Sequence, residues 1–260
     1  MTVRKTIFVS GCVAWLAGCA VVPETGRSRL ALVSDSMAMQ MGLSEFEKMK
    51  QSAPISKDAK VNAMVRRVGN RIAEVVADDM PEAQWEFVVF DSDEPNAFAL
   101  PGGKVGIFTG ILPLTQDEAG LATVIGHEVA HAVAGHGAER ASEAMAMQLG
   151  GVLLGVAIQD RTAQTQQLIT QAYGLGTQLG RALPHGRGQE SEADYMGLLY
   201  MARAGYNPEA AVSFWQRFAA YGAQQGNQVP WFLSTHPVKE QRIQNIQGWL
   251  PEAKAQYRPR

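Results

Sequence analysis

Five residues constrain this chain more than any others: His127-Glu128-Val129-Ala130-His131. On a helix, positions four apart project from one face, so the two imidazoles can grip a single metal ion. Glu128 follows the first histidine and is placed to act as general base towards a water at that ion. Ile125, Val129 and Ala130 surround the motif, which predicts a buried helix. A charged glutamate on such a helix needs a chemical reason. Two neutral imidazoles and a carboxylate suit zinc, one ion per chain, with a fourth position left for water and substrate.

The third donor must come from elsewhere. Glu190-Ser191-Glu192-Ala193-Asp194 opens a later helix. Glu190 and Asp194 are four apart and share a face. If Glu190 reaches the metal, Asp194 points the same way and can accept a hydrogen bond from a ligating histidine, fixing its tautomer. Glu192 projects elsewhere on this geometry, though it stays the alternative ligand. Stabilisation of a helix N-terminus explains acidic residues here but not their pairing with the histidine motif. His136 has rotated to another face, which suits a polar surface or a supporting role rather than ligation. His185 falls in a loop and reads as exposed. His236, in Ser234-Thr235-His236-Pro237, has three readings. It could stabilise the oxyanion of a tetrahedral intermediate, occupy the open metal position and hold the site latent, or pack against Trp231 at a helix boundary. Arg187 could pair with Asp194 or Glu192, hold substrate, or simply face solvent.

Around these residues the pattern is mostly helical. Val61, Met64, Val65, Val68, Ile72, Val75 and Val76 recur with a helical period over 57–77, and a shorter helix is predicted over 37–49, with its methionines as core filler. Residues 85–90, 97–100 and 105–109 read as strands, with Pro101-Gly102-Gly103 as the turn of a hairpin. One helix should start near Thr115 and run through the histidines towards Met147. The apolar stretch 149–158 is too short to span a bilayer, so a core helix is expected, with a hydrophobic lid as the alternative. Further helices are predicted over 189–204, 208–221 and 237–249. The fold class is α+β: a mainly helical domain over residues 36–260, with a small β-sheet and an edge hairpin.

The beginning of the chain reads differently. Arg4 and Lys5 precede an apolar run from Ile7 to Leu16, then Leu16-Ala17-Gly18-Cys19. This predicts a lipoprotein signal peptide over 1–18 and acylation of Cys19. Residues 19–35 would then be a lipidated tether, anchoring the domain in a cell envelope, at the periplasmic face of an outer membrane. The only cysteines are Cys12 and Cys19, so no disulfide is expected in the mature chain. A formal net charge of −2 without a basic stripe argues against nucleic acid as a partner.

Four segments come in one order: Asn96-Ala97-Phe98-Ala99-Leu100-Pro101-Gly102-Gly103, the His-Glu-Val-Ala-His helix, Glu190 to Asp194, and Thr235-His236-Pro237. Together they resemble the gluzincin metallopeptidases of zincin-like fold that include the CaaX prenyl-protein endopeptidases, the bacterial heat-shock protease HtpX and the mitochondrial stress protease of the inner membrane, metallopeptidase family forty-eight. The periplasmic lipoprotein branch fits best. The resemblance implies His127, His131 and Glu190 as zinc ligands and Glu128 as the catalytic residue. It also implies attack of zinc-activated water on a peptide carbonyl in misfolded or damaged envelope proteins. Two rival readings stand beside it. One is a zinc-stabilised chaperone for outer-membrane proteins. The other is a zinc peptidoglycan hydrolase.

Overall fold

The computed structural model describes residues 19–177, 183–226 and 230–259. The expected signal peptide lies outside the described residues, as does the His185 side chain. A hairpin opens the described chain: β1 (Cys19–Val21) pairs antiparallel with β2 (Ser28–Leu30). Helices α1 (Asp35–Ser52) and α2 (Ala59–Val75) follow. Next comes a sheet of β3 (Glu86–Phe90), β4 (Ala97–Leu100) and β5 (Lys104–Phe108), in the order β3-β5-β4. β3 runs parallel to β5 and β4 antiparallel to it. The short α3 (Leu112–Thr115) leads into α4 (Glu118–Val133), α5 (His136–Ala157), α6 (Ala163–Thr177) and α7 (Leu183–Arg203). The chain closes with α8 (Glu209–Gln224), α9 (Trp231–Thr235) and α10 (Glu240–Gln256). This is the mainly helical α+β architecture that the pattern predicts.

Side-chain capping sets the helix starts that matter. Asp58 accepts from the backbone of Lys60 and Val61 at the head of α2, and Asp117 accepts from Gly120 at the head of α4. α4 then lies in the middle of the molecule with almost every residue buried. The period of α2 is what buries Val65, Val68 and Ile72 in the same core. On the sheet, Phe90, Phe98 and Phe108 form an aromatic cluster, and Phe46 of α1 packs on Phe90 and Phe98.

Four sequence expectations need correction. The single helix predicted through the histidines breaks after Val133, because Gly135 adopts a left-handed φ of 66°. A side chain there would meet the Arg29 guanidinium. The break turns the chain so that His136 faces back towards α4. The stretch 149–158 is helical but not core, since Leu153 is 70% and Val152 60% exposed. The methionine face of α1 is no core filler either, with Met37 and Met41 exposed. Finally, residues 19–35 do not hang free as a tether. Val22 is fully buried in the main core, and Glu24 forms a two-pronged pair with Arg203 at 2.7 and 2.8 Å.

Helices α4 and α7 approach each other closely in the core. A Cβ on Gly197 would lie 2.7 Å from the backbone nitrogen of His127, and one on Gly126 would lie 2.8 Å from the Gly197 carbonyl. Only two glycines allow the helices to touch backbone to backbone. Gly197→Ala should therefore destabilise the fold by about 2 kcal/mol or more through forced separation. Gly155→Ala, in open space on α5, should shift stability by at most about 1 kcal/mol towards the folded state. Urea unfolding of both variants measures the contrast.

Candidate active site

α4 contributes His127, Glu128 and His131, all buried. α7 crosses it and brings Glu190 and Asp194, one turn apart. The turn after α9 brings His236. The atoms converge closely. His127 Nε2 lies 3.1 Å from His131 Nε2 and 3.1 Å from His236 Nδ1. Glu190 Oε1 is 3.2 Å from His131 Nε2, and Glu190 Oε2 is 2.8 Å from His236 Nδ1. One donor atom from each of His127, His131, Glu190 and His236 falls within 4.8 Å of all the others.

Asp194 sits behind this cluster. Its Oδ1 is 3.0 Å from His127 Nδ1. If His127 donates its Nδ1 proton to that carboxylate, its Nε2 presents a lone pair to the cluster. Lone pairs of several nitrogens and a carboxylate then meet in one buried place. A divalent cation satisfies them together, and three imidazole nitrogens with one carboxylate are a donor set that suits zinc.

The electrostatics carry the same demand for positive charge. Burial acts to lower the His127 pKa, yet hydrogen bonds to Asp194 and Glu190 prevail and raise it to about 9. His131 goes the other way, well below the usual histidine range, because burial outweighs its contact with Glu190. The Glu190 carboxyl is held far below its ordinary value: burial opposes ionisation, but the three histidines overcome it. Glu128 differs. Burial pushes its pKa up, with nearby His236 and His127 opposing. Its Oε1 is buried and without a hydrogen-bond partner, 3.6 Å from His236 Nε2.

The cluster opens onto a cleft of about 900 Å³. Glu128, His131, Glu190 and His236 line it on one side and residues 97–101 on another. The cleft therefore runs beside β4, one of the two outer strands of the sheet. Arg187 lines the cleft and is exposed; Asp194 and Glu192 have other partners. The packing reading of His236 against Trp231 does not describe its surroundings, since its ring lies 4.4 Å from that of Phe232, tilted by 37°, and its Nδ1 faces the cluster.

Two arginines escaped the sequence reading. Arg242 of α10 grips Asp194 with Nε and Nη2 at 2.6 and 2.8 Å, and its guanidinium lies 3.6 Å over the Trp215 ring. Arg27, in the hairpin at the start of the described chain, pairs with Glu192 at 2.8 Å and with Glu139 at 2.8 and 2.9 Å. Neither position carries a local signal, because each partner is distant in sequence. His136, placed on another face, is completely buried with Nδ1 2.7 Å from His131 Nδ1. Arg242→Ala should destabilise the fold by about 3–5 kcal/mol, because Asp194 is left charged and buried without its partner. Arg242→Lys keeps the charge but loses the fork and the stacking, so its loss should be smaller but clear by urea unfolding.

Comparison with known proteins agrees with this geometry. The chain is 42% identical over 189 residues to the mitochondrial metalloendopeptidase OMA1 of Schizosaccharomyces pombe, covering 73% of this chain and 53% of that protein. It is 32% identical over 253 residues to the protein of the same name from Saccharomyces cerevisiae, covering 90% and 70%. It is 28% identical over 235 residues to the beta-barrel assembly-enhancing protease of Yersinia pestis, covering 88% and 47%. The chain thus spans about half the length of two of these relatives and seven-tenths of the third. The expected location at the periplasmic face of an outer membrane does not stand, because the relatives of higher identity are mitochondrial proteins. A short basic and apolar leader carries too little information to fix a compartment. The description "Peptidase family M48" matches residues 59–250, a stretch that holds the four clustered donors, Glu128 and Asp194, and this chain belongs to that family.

Proposed function

We propose that residues 36–260 form the catalytic domain of a zinc-dependent endopeptidase that cuts extended segments of misfolded or damaged proteins. One observation carries this reading: Glu128 Oε1 is buried, without a hydrogen bond and beside the cluster of metal donors, at the wall of an open cleft. A buried carboxylate oxygen left without a hydrogen bond is destabilising unless the atom has work to do. His127, His131 and Glu190 would hold the ion. Zinc bound there supplies an activated water and polarises the carbonyl to be attacked.

The chain's own residues supply the rest. Glu128 accepts a proton at Oε1 and returns it to the leaving amine. A pKa raised by burial brings the group nearer the range in which it can do both. Asp194 orients His127 and keeps its Nε2 free of a proton. His236 has two positions to serve. With Nδ1 2.8 Å from Glu190 it stands as a fourth donor, which closes the site to substrate. Turned away, it can donate to the developing oxyanion. The outer edge of β4 can align an extended peptide through main-chain hydrogen bonds, which gives loose sequence preference.

The test compares the full chain with Glu128→Gln on unfolded casein, with zinc content measured for both. Cleavage should fall by at least about 100-fold in the variant while each chain keeps one zinc. Equal casein handling by both chains, without cleavage, would instead support a binding-only assembly factor. Cleavage confined to peptidoglycan fragments would support a cell-wall hydrolase. Acylation at Cys19 is a separate proposal, supported by its exposed, free thiol. Intact mass of the chain recovered from cells should show an acyl addition that Cys19→Ser lacks.

A further inference from the structure

The two zinc histidines of this proposed site are not supported in the same way. His127 meets a carboxylate directly. His131 meets a second histidine: its Nδ1 is 2.7 Å from His136 Nδ1, and His136 Nε2 is 2.9 Å from Glu192 Oε2. The direction of these bonds follows from chemistry. If His131 Nε2 faces the ion, its only proton is on Nδ1 and must be donated to His136 Nδ1. His136 then carries its own proton on Nε2 and donates it to Glu192. Every donor has an acceptor, and the chain of bonds ends on a carboxylate.

Glu192 is itself held from the far side. Arg27 Nε donates to its Oε2 at 2.8 Å, and Thr25 donates to its Oε1. Arg27 also bridges to Glu139, one turn along α5 from His136. The arrangement mirrors the other side of the site, where Arg242 holds Asp194 and Asp194 holds His127. Arg29, next on the same hairpin, lies under Gly135, where α4 ends and α5 begins. The hairpin of residues 19–30 therefore touches the support of His131 at two places.

Resting on the zinc reading above, we infer that His136 and Glu192 are positioning residues for His131, and that Arg27 makes the N-terminal hairpin part of the metal site. His136 and Glu192 set the ring orientation and raise the basicity of His131. Arg27 holds the Glu192 carboxylate in place. None of the three touches substrate.

The experiment measures zinc affinity by competition with a chelator, and the visible spectrum of the cobalt-substituted protein, in the full chain. The variants are His136→Phe, Glu192→Gln and Arg27→Met, with Lys48→Ala on the exposed face of α1 as control. His136→Phe and Glu192→Gln should weaken zinc binding by about 10–100-fold and shift the cobalt bands. Arg27→Met should weaken it by a smaller factor in the same direction, and the control should match the parent. Glu192→Gln keeps shape and hydrogen bonding, so a change there reports the lost charge rather than lost packing. If His136→Phe fails to fold, Glu192→Gln and Arg27→Met decide the matter by the same readings. Parent-like affinity and an unshifted cobalt spectrum in the folded variants overturn the inference while leaving the zinc site intact. A folded parent that takes up no zinc overturns both.

Discussion

The backbones of α4 and α7 meet at Gly126 and Gly197, and the places of His127, His131 and Glu190 follow from that contact. His127 and His131 stand on α4, and Glu190 and Asp194 stand on α7. A glutamate side chain is short, so its carboxylate reaches two histidines on a neighbouring helix only where the axes are unusually close. Gly126 immediately precedes His127, which sets the tightest point of the crossing beside the first donor. Packing and chemistry are here one constraint, since any side chain that spread the helices would also draw Glu190 away from its partners.

Close packing brings a second demand, because it buries charge. Glu128, Asp194 and Glu139 are each less than a tenth exposed. Such groups are tolerated only when paired or bound to metal. Arg242 answers Asp194 and Arg27 answers Glu139 and Glu192, while the histidine cluster surrounds Glu190. Glu128 keeps a buried carboxylate oxygen without a hydrogen bond. Metal binding and folding are coupled in such a site, because the ion completes a balance that protein groups leave short of positive charge.

What could be read from the sequence follows from how local each signal is. The histidine motif and the Glu190–Asp194 pair are helical spacings, legible within a single turn. The strands at 97–100 and 105–108 stand out through turn residues between them. The break at Gly135 was not legible, since one glycine in an apolar run is compatible with a continuous helix. Nor could the apolar stretch in α5 reveal that Leu153 and Val152 face outward: composition reports a preference for burial and not what is there to bury against. Arg27 and Arg242 lay beyond reach for another reason. Arg27 is 112 positions from Glu139, and Arg242 is 48 from Asp194, with no period to link them.

The order of the sheet explains why the cleft lies where it does. With β5 in the centre, β4 becomes the outer strand nearest α4. A free edge rich in apolar residues normally invites unwanted pairing with other chains, and proteins tend to shorten or cover it. β4 is only four residues long, and it borders the cleft that the metal donors share. Ala99 reaches Glu128 through its backbone, so the edge and the base are fixed relative to each other. A peptide that paired with β4 would be held at a set height against Glu128 whatever its side chains, because backbone geometry alone would place it. Under the proposed function, the edge that would be a liability elsewhere would suit substrates recognised by being unfolded, whose common feature is an unpaired main chain.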